Sequence, residues 1–566
     1  MSKAFAFWPL ASGEDDADPA AAPAPALPPH PGAAEIACLG RVVCISGSQL
    51  IVALDKQQQQ DTAPQQALRK GCLVRMFGPR SAIYGIVTGL NIPMPAEDAE
   101  VALAEIDLVG EVIIDADGQE RPFTRGIGAH PALGDFVFAT SAKDLQKVYG
   151  HAGGGDLVIG ALHDDPAQPA MVHSHALLNN HFALLGVTGS GKSCALTVML
   201  RQILAAGSET HILLLDPHNE YSSVFGRQAE LVRPTDLQLP FWLLNAEEIA
   251  QVILGRKHDP AFAQDVSGIL NDLIVQARRS YYRANHPRIA DADNFITVDT
   301  PIPYSVRDVQ RMLDEQMGRL ENKANLPTYR WIRARLDILR NDARYGFMFG
   351  GFTVRDSMAE IVSRLLRIPA HGKPLTIVDL SHVPSEILNV VVSVLARMSF
   401  DFALWSKGAQ PLLLICEEAH RYAPADDASG FEPTKQALSR IAKEGRKYGI
   451  SLGVISQRPA EIEPSTLSQC NTVIAFRMTN LRDQEILRGV VSDAAHGLLD
   501  FLPSLGNGDA IMVGLGTNLP MRLRFDTLPE GMRPAGMQIR QGDGISAEDA
   551  QSFIADIIDR WRRQAR

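Results

Sequence analysis

An eight-residue segment, Gly186–Ser193, constrains the fold of this chain more than any other part of the sequence. It reads Gly-Val-Thr-Gly-Ser-Gly-Lys-Ser and fits the pattern of a phosphate-binding loop, the P-loop. The apolar run His181–Leu185 precedes it, and a helix-forming run, Cys194–Ala206, follows it. Because this loop binds nucleotides where it joins a buried strand to a helix, the segment predicts an α/β fold with a nucleotide site. The alternative is an ordinary glycine-rich turn.

The residue types in this loop match the chemistry of a phosphate group. Glycines permit backbone conformations that point successive N–H groups at phosphate oxygens, and the N-terminus of the following helix adds a partial positive charge. Lys192 is predicted to bind the β- and γ-phosphates, and the Ser193 hydroxyl is predicted to bind Mg²⁺. The predicted contacts to ATP are Gly186, Thr188, Gly189, Ser190, Gly191, Lys192, Ser193 and Cys194.

Two acidic residues after another apolar run predict the hydrolytic part of the site. Glu417 and Glu418 come directly after Leu412–Cys416. A P-loop ATPase needs carboxylates at such a strand end, to hold the magnesium ion with its water shell and to orient the attacking water. We assign Glu417 to the magnesium ion and Glu418 to the water. A solvated acidic loop at the end of a strand is the alternative.

Three further residues are candidates for catalysis. Asp216 ends an apolar run and is predicted to face the same crevice, although Asp-Pro is equally typical of a turn. Gln457 follows another apolar run and is a candidate sensor of the γ-phosphate. Arg446 lies near the end of a predicted helix and is a candidate arginine finger for the nucleotide of a neighbouring subunit. A surface ion pair is the alternative role for Arg446.

Apolar runs alternate with helical segments in much of the chain, which predicts a parallel sheet with crossover helices. The predicted strands are His181–Leu185, His211–Leu215, Leu375–Asp379, Leu412–Cys416, Ser451–Ser456 and Thr472–Phe476. Short β-rich runs between Cys38 and about Phe138 predict a small barrel, and polar helix-forming segments predict a helical insertion. The predicted fold is therefore α/β, with a RecA-like P-loop core, a small N-terminal β-barrel and a helical insertion.

These patterns divide the chain into five parts. The predicted parts are a disordered Ala/Pro-rich tail (1–34), the β-barrel (35–150), the ATPase core (151–244 and 373–530), the helical insertion (245–372) and a C-terminal extension with an amphipathic helix (531–566).

Charge and cysteine content exclude several classes of protein. The balance of 54 Lys and Arg against 65 Asp and Glu gives a net charge of −11, which argues against a protein that coats nucleic acid with its whole surface. This net charge is compatible with a basic channel inside an acidic ring. The six cysteines have no metal or disulfide spacing, and we find no signal peptide or membrane-spanning run. We expect a cytoplasmic protein without a membrane partner.

Several segments together resemble the HerA family within the HerA–FtsK ATPases. The P-loop is one of them, and the others are Asp216–Tyr221, Glu417–Arg421, Glu444–Gly449 and Ser456–Pro459, with further similarity at Val378–Ser381, Asp342–Phe349, Arg477–Asp483 and Leu505–Ala510. The similarity covers about 35–530, and the predicted barrel fits the HAS domain of that family. Asn219 departs from the family, which usually has glycine there, but asparagine tolerates a positive φ. Glu417 is a second departure, because many ATPases have Asp at this position.

The resemblance implies an ATP-driven DNA translocase or helicase that works as a hexameric ring with DNA in its pore. It further implies ATP and Mg²⁺ as cofactors, with Lys192, Ser193, Asp216, Glu417, Glu418, Gln457 and Arg446 as the working residues. Members of the family commonly partner a nuclease of the NurA type, and some resemble the motors of anti-phage defence complexes. A nuclease or a defence effector such as a NADase is therefore the expected partner.

The sequence is also compatible with two other functions. One is a conjugation- or secretion-type ATPase of the same superfamily, recruited as a soluble motor to a membrane complex. The other is a ring scaffold whose ATP cycle gates an effector. The predicted N-terminal barrel and the missing membrane segments favour the DNA translocase.

Overall fold

The computed structural model describes most of the chain between residues 37 and 534. The internal stretches 56–67, 92–101, 151–154, 234–235, 237–238, 256–257, 287–291, 320–324, 350–353, 382, 384, 427–429 and 492–495 lie outside the described residues, whereas 552–555 and 557–558 are described. The predicted tail (1–34) therefore lies outside the described part, as does most of the predicted C-terminal amphipathic helix.

The first seven strands form a small closed barrel. They are β1 (Cys38–Ser46), β2 (Gln49–Leu54), β3 (Leu73–Phe77), β4 (Ser81–Asn91), β5 (Leu103–Ile113), β6 (Thr124–Arg125) and β7 (Phe136–Ala139). The strand order is β2-β1-β7-β3-β4-β5, and the pairing of β2 with β5 closes the ring, with β6 added beside β5. Alternation along β4 sends Ile83 and Val87 into the barrel interior and Tyr84 to a second cluster outside it. The prediction of an N-terminal barrel is confirmed.

A buried carboxylate fixes the helix Ala142–Tyr149 to the barrel. Asp144 accepts hydrogen bonds from Arg75 Nη1 at 3.0 Å and from the Tyr84 hydroxyl at 2.9 Å. It also forms a capping box with Ser141 at the start of the helix. Burial by itself would raise the pKa of Asp144, but the hydrogen bonds from Ser141 and Tyr84 and the positive charge of Arg75 outweigh it, so the pKa lies below its ordinary value.

We expect Asp144→Asn to lower the free energy of unfolding by about 2 to 4 kcal/mol at neutral pH, since it leaves Arg75 without its buried partner. A depressed folded-state pKa contributes stability above the ordinary value of 3.8, and this contribution is lost as the pH falls through the folded-state pKa. The difference between variant and wild type should therefore shrink below about pH 4. Calorimetric unfolding at several pH values measures this, with exposed Asp117→Asn as the control. A pH-independent difference would contradict this assignment.

Eleven strands form the central sheet. They are β8 (Asp156–Leu162), β9 (Pro169–His173), β10 (His181–Leu185), β11 (His211–Asp216), β12 (Ala229–Val232), β13 (Leu375–Asp379), β14 (Leu412–Cys416), β15 (Ile450–Ser456), β16 (Cys470–Ala475), β17 (Asp509–Gly514) and β18 (Met521–Phe525). The order is β12-β13-β11-β14-β15-β10-β16-β17-β18-β8-β9, and the seven strands from β12 to β16 are parallel. The predicted α/β fold is confirmed.

The parallel strands are apolar at consecutive positions because both faces of the sheet are covered. In β11, Leu213 and Leu215 join the core on one face, whereas Ile212 and Leu214 join the core on the other. Removing either layer would expose half of each strand to water.

Four antiparallel strands extend this sheet and were not predicted. Strands β17, β18, β8 and β9 pair antiparallel to one another, and β17 pairs antiparallel with β16. The prediction of a purely parallel sheet is therefore incomplete. Strands β8, β9 and β18 alternate between buried and partly exposed residues, so a search for continuously apolar runs does not find them. Strand β17 is buried from Asp509 to Val513 and contains such a run, which the sequence analysis did not assign to the sheet.

Helices pack on the central sheet and also make up the insertion. They are Ala142–Tyr149, Ser174–Leu178, Lys192–Ala205, Ser222–Phe225, Ala246–Leu254, Pro260–Asn285, Ala292–Phe295, Val306–Met317, Leu326–Asn341, Gly346–Phe349, Met358–Leu366, Ser385–Trp405, Glu432–Glu444, Pro464–Ser468, Leu481–Val490 and His496–Leu499. The described residues between 245 and 372 contain helices and no strand. Helix Pro260–Asn285 begins with an Asp259 cap and a proline in its first turn.

One helix among the described residues is long and apolar enough to cross a membrane by length and composition. It is Ser385–Trp405, and 72% of its apolar window Ile387–Trp405 is buried within the protein. Arg397 in this helix binds the fully buried Glu248 at 3.0 Å. The helix therefore packs as a central element of the core.

The barrel contacts the core through an arginine. Arg125 in β6 donates to the backbone oxygens of Asn518, Gly514 and Thr517 at 2.7 to 2.8 Å. These three oxygens belong to the turn between β17 and β18. The unpredicted antiparallel strands thus form the surface on which the barrel is held.

Candidate nucleotide site

The glycine-rich segment lies at the carboxyl edge of the central sheet, directly after the fully buried β10. Gly186 has a φ of +155°, and a Cβ there would lie 2.6 Å from Cβ of Phe476. Gly191 has a φ of +111°, in the left-handed region that favours glycine, and Gly189 has a φ of +75°. Alanine at these positions would collide or strain the backbone. The local sequence therefore explains the loop conformation.

Neighbouring segments hold the loop from three sides. Gly186 N–H donates to the backbone oxygen of Ser456, and Val187 N–H donates to that of Arg477. The backbone oxygen of Ser190 accepts from Gly508 N–H at 2.9 Å, and its buried hydroxyl donates to the backbone oxygen of Val187. The loop is thus fixed before any ligand binds, which favours recognition of a defined anion.

Lys192 begins the helix Lys192–Ala205 and folds back over the loop. Its Nζ donates to the backbone oxygens of Gly186 at 2.8 Å and Val187 at 3.1 Å. Burial lowers the pKa of Lys192, and the nearby carboxylates of Glu418 and Glu417 oppose that shift. Ser193 and Cys194 follow in the first turn, both partly buried. An ammonium group at a helix N-terminus is suited to bind phosphate.

Glu417 is a buried carboxylate at the end of β14, on the strand next to β15. It is 5% exposed, and its Oε2 has no hydrogen-bond partner among the described residues. Burial raises the pKa of Glu417 well above its ordinary value, and the negative charges of Glu220, Asp216 and Glu418 raise it further. A buried carboxylate with an unpartnered oxygen offers the kind of oxygen ligand that Mg²⁺ prefers. The residues present therefore fit magnesium.

Glu418 adopts a left-handed backbone, with a φ of +52°. This conformation starts the short 3-10 turn Ala419–Arg421. Its Oε1 lies 3.8 Å from His218 Nε2, and its Oε2 lies 3.3 Å from His420 Nδ1. A non-glycine residue in this region is strained, and such strain is typical of functional positions.

Asp216 ends β11 and is fully buried. Its two oxygens accept from the backbone N–H groups of His218 at 3.2 Å and Tyr221 at 3.0 Å. Burial raises the pKa of Asp216 despite these bonds. The carboxylate therefore shapes its own turn, in which Asn219 has a φ of +55°. The structure places Asp216 beside Glu417, and its predicted catalytic role stays a prediction.

Gln457 and Thr188 bring the end of β15 to the P-loop. The Thr188 hydroxyl donates to the side-chain oxygen of Gln457. Because β15 pairs directly with β10, the side chain after β15 faces the loop after β10. The predicted sensor is therefore next to the predicted phosphate position.

Arg446 is not near these residues. It is exposed and lies in the 3-10 turn Gly445–Tyr448, which precedes β15. The P-loop and Gln457 follow the strands, so Arg446 lies at the opposite edge of the sheet from its own P-loop. No carboxylate lies within ion-pair distance of Arg446 in the part of the chain that is described.

The sequence analysis did not single out two further residues at this edge of the sheet, Asp379 and His420. Asp379 ends β13 beside Asp216, and its Oδ1 accepts from Ser381 N–H at 3.0 Å and Ser381 Oγ at 2.6 Å. Its signal was an acidic residue ending an apolar run. His420 lies two residues after Glu418, but a lone histidine there gave no signal of its own, and only the fold brings Ser456 to it.

The chain is similar to several known proteins. The family model described as "Helicase HerA, central domain" matches residues 157–399. The chain is similar to the "DNA double-strand break repair helicase HerA" of Pyrococcus furiosus, with 26% identity over 76% of this chain and 78% of that protein. The protein of the same description from Sulfolobus acidocaldarius is 24% identical over 70% of this chain and 74% of its own length. Among solved structures, VirB4 of Thermoanaerobacter pseudethanolicus is 16% identical, with a TM-score of 0.49, over 68% of this chain and 99% of that chain.

Proposed function

Since the chain belongs to the HerA family and is a P-loop ATPase of the helicase class, we propose that it is an ATP-hydrolysing DNA translocase or helicase. In this proposal six copies form a ring, and the ring moves DNA through its central pore. We place this activity in the cytoplasm.

The observation that carries the proposal is the grouping of Lys192, Glu417, Glu418 and Gln457 in one crevice. Lys192 would hold the β- and γ-phosphates, and the main-chain N–H groups of the loop would surround them. Ser193 and Glu417 would hold Mg²⁺, which when bound neutralises charge on the phosphates. Glu418 would accept a hydrogen bond from the attacking water, and Gln457 would contact the γ-phosphate.

The position of Arg446 supports a ring. Because Arg446 and the P-loop occupy opposite edges of the sheet, Arg446 is out of reach of the nucleotide in its own chain. In a head-to-tail ring the opposite edge of one copy faces the site of the next. Arg446 would then stabilise the charge of the transition state in trans.

We further propose that the motor delivers DNA to a partner enzyme. Two relatives are named double-strand break repair helicases, and such repair requires processing of DNA ends. A nuclease of the NurA kind, or a defence effector such as a NADase or nuclease, is the class of partner proposed. The barrel is a surface separate from the ATPase crevice and is the proposed site for it.

The test is ATP-driven displacement of streptavidin from the biotinylated end of a linear duplex. A translocase should displace streptavidin with ATP and Mg²⁺, and it should fail without either, because force on the block requires hydrolysis. The exposed Lys143→Ala variant is a control that should behave like the wild type. Robust hydrolysis without displacement would favour a ring that gates an effector, or a secretion-type ATPase.

A further inference from the structure

His420 lies between two oxygen acceptors that belong to different parts of the crevice. Its Nδ1 is 3.1 Å from the Ser456 hydroxyl oxygen and 3.3 Å from Glu418 Oε2. The imidazole is 10% exposed, so water does not readily replace either contact. His420 is therefore held beside the carboxylate that is proposed to orient the attacking water.

A single proton on Nδ1 can be donated to only one of these oxygens at a time. Burial lowers the pKa of His420, which favours the neutral imidazole with its single N–H. The tautomer that carries this proton on Nδ1 is the one that can donate to either oxygen. Nδ1 is aligned with Ser456 in this structure. Glu418 Oε2 is buried and has no hydrogen-bond partner among the described residues. The two acceptors thus compete for one donor.

The two acceptors are attached to two loops with different contacts. Glu418 begins the loop 418–426, and its backbone oxygen accepts from Arg421 N–H at 2.9 Å. Ser456 ends β15, and its hydroxyl also accepts from Arg458 N–H at 3.0 Å. The next residue after Ser456 is Gln457, which contacts the P-loop. A relative movement of the two loops would change which acceptor is closer to His420.

These loops are joined beyond the site. Ala425 N–H donates to the backbone oxygen of Glu461 at 2.8 Å, and Glu463 N–H donates to that of Ala423 at 3.0 Å. Pro424 and Ile462 form an isolated β-bridge between them. The two loops are therefore joined at their outer parts, and a displacement there would be transmitted to both Glu418 and Ser456 at their inner ends.

Both loops carry an exposed arginine near the crevice. Arg421 is exposed, and Arg458 is exposed and paired with Glu461 at 2.9 Å. Exposed guanidinium groups are suited to contact a DNA backbone without reading its sequence. The loops thus connect a candidate DNA-facing surface to the carboxylate of Glu418.

We propose that His420 is a positioning residue that restrains Glu418 by donating to its carboxylate and releases it by donating to Ser456. This inference rests on the proposed function, in which Glu418 orients the attacking water. DNA at the paired loops favours the Ser456 contact, which frees Glu418. Without DNA both contacts are populated, the Ser456 contact being the one in this structure, and DNA shifts the balance further toward it. ATP hydrolysis is therefore faster with DNA than without it.

The test compares steady-state ATP hydrolysis, with and without linear duplex DNA, for two variants. One variant removes the donor, His420, and the other removes the acceptor hydroxyl of Ser456. His420→Leu removes the donor and should raise DNA-free turnover about two- to tenfold, the equivalent of one hydrogen bond. Ser456→Ala removes the releasing acceptor and should lower turnover by a similar factor. Both variants should leave the KM for ATP unchanged.

A conservative variant separates positioning from folding. His420→Asn places a nitrogen with two protons near the Nδ1 position, so it can serve both acceptors at once. It should keep the low DNA-free turnover of the wild type and lose most of the DNA stimulation. Exposed His175→Gln is the matched control and should retain both values.

Changes of the same sign in His420→Leu and Ser456→Ala, or no change in either, would overturn the proposal. If DNA does not stimulate the wild type, the proposed function is contradicted. The opposite effects of the two variants on DNA-free turnover would then still test His420 independently.

Discussion

We expect Lys192→Ala to abolish ATP hydrolysis, with turnover at least about 100-fold below that of the wild type. Lys192 places the only ammonium group of the P-loop over the loop's own backbone oxygens, within the crevice that contains Glu417 and Glu418. A bound phosphate would replace those oxygens as its partner. Without this charge, the negative charge that develops on the phosphoryl oxygens is not neutralised.

The effect should extend to nucleotide binding, because Lys192 contacts the phosphates in the ground state as well. Binding of a fluorescent ATP analogue and steady-state phosphate release measure the two effects separately. Lys143→Ala, an exposed lysine on the barrel-side helix, is the matched control. If turnover of Lys192→Ala stays within about twofold of the wild type, the assignment of this segment as a P-loop is contradicted.

The second large effect is expected for Glu418→Gln, which should lower turnover by about 100- to 10,000-fold while ATP still binds. The substitution preserves size but removes the negative charge that would polarise the water. Because Glu418 is separate from the phosphate-binding loop, the affinity for ATP should stay within a few-fold of the wild type. Single-turnover kinetics with a binding assay distinguishes these outcomes.

Exposed Glu485→Gln is the control for Glu418→Gln. Mixing Glu418→Gln subunits with Arg446→Ala subunits extends the test to the ring. Some interfaces in mixed rings would then contain an intact Glu418 from one copy and an intact Arg446 from the next, so partial activity should return. Confirmed mixed hexamers without any recovery would contradict the trans role of Arg446.

The parts of the site that depend on local sequence could be predicted. The strand His181–Leu185 was predicted with its observed limits, and the P-loop and its helix follow it as expected. The glycines explain why, since only they combine the positive φ values with close approach to Phe476 and Gly508. Local chemistry determined this part of the fold.

Contacts between distant segments were harder to predict. The antiparallel strand β18 pairs with β8 across more than 300 residues of sequence, and no local pattern indicates that pairing. For the same reason His420 was not singled out, because its neighbour Ser456 is 36 residues away. Their roles follow from the fold.

Position in the sheet also changed the interpretation of two candidates. Asp216 uses both oxygens to cap its own turn, which supports the turn alternative without excluding a role beside Glu417. Arg446 precedes β15, so strand direction alone places it at the edge away from the P-loop. That deduction was available from the sequence once β15 was recognised as parallel to β10.

The measurement that tests the central claim most directly is steady-state ATP hydrolysis by the purified protein, with and without linear double-stranded DNA, at two salt concentrations. A DNA motor should hydrolyse ATP faster with DNA, and the stimulation should decline as salt weakens contacts to phosphates. Robust hydrolysis that is indifferent to DNA at both salt concentrations would contradict the proposed DNA translocase.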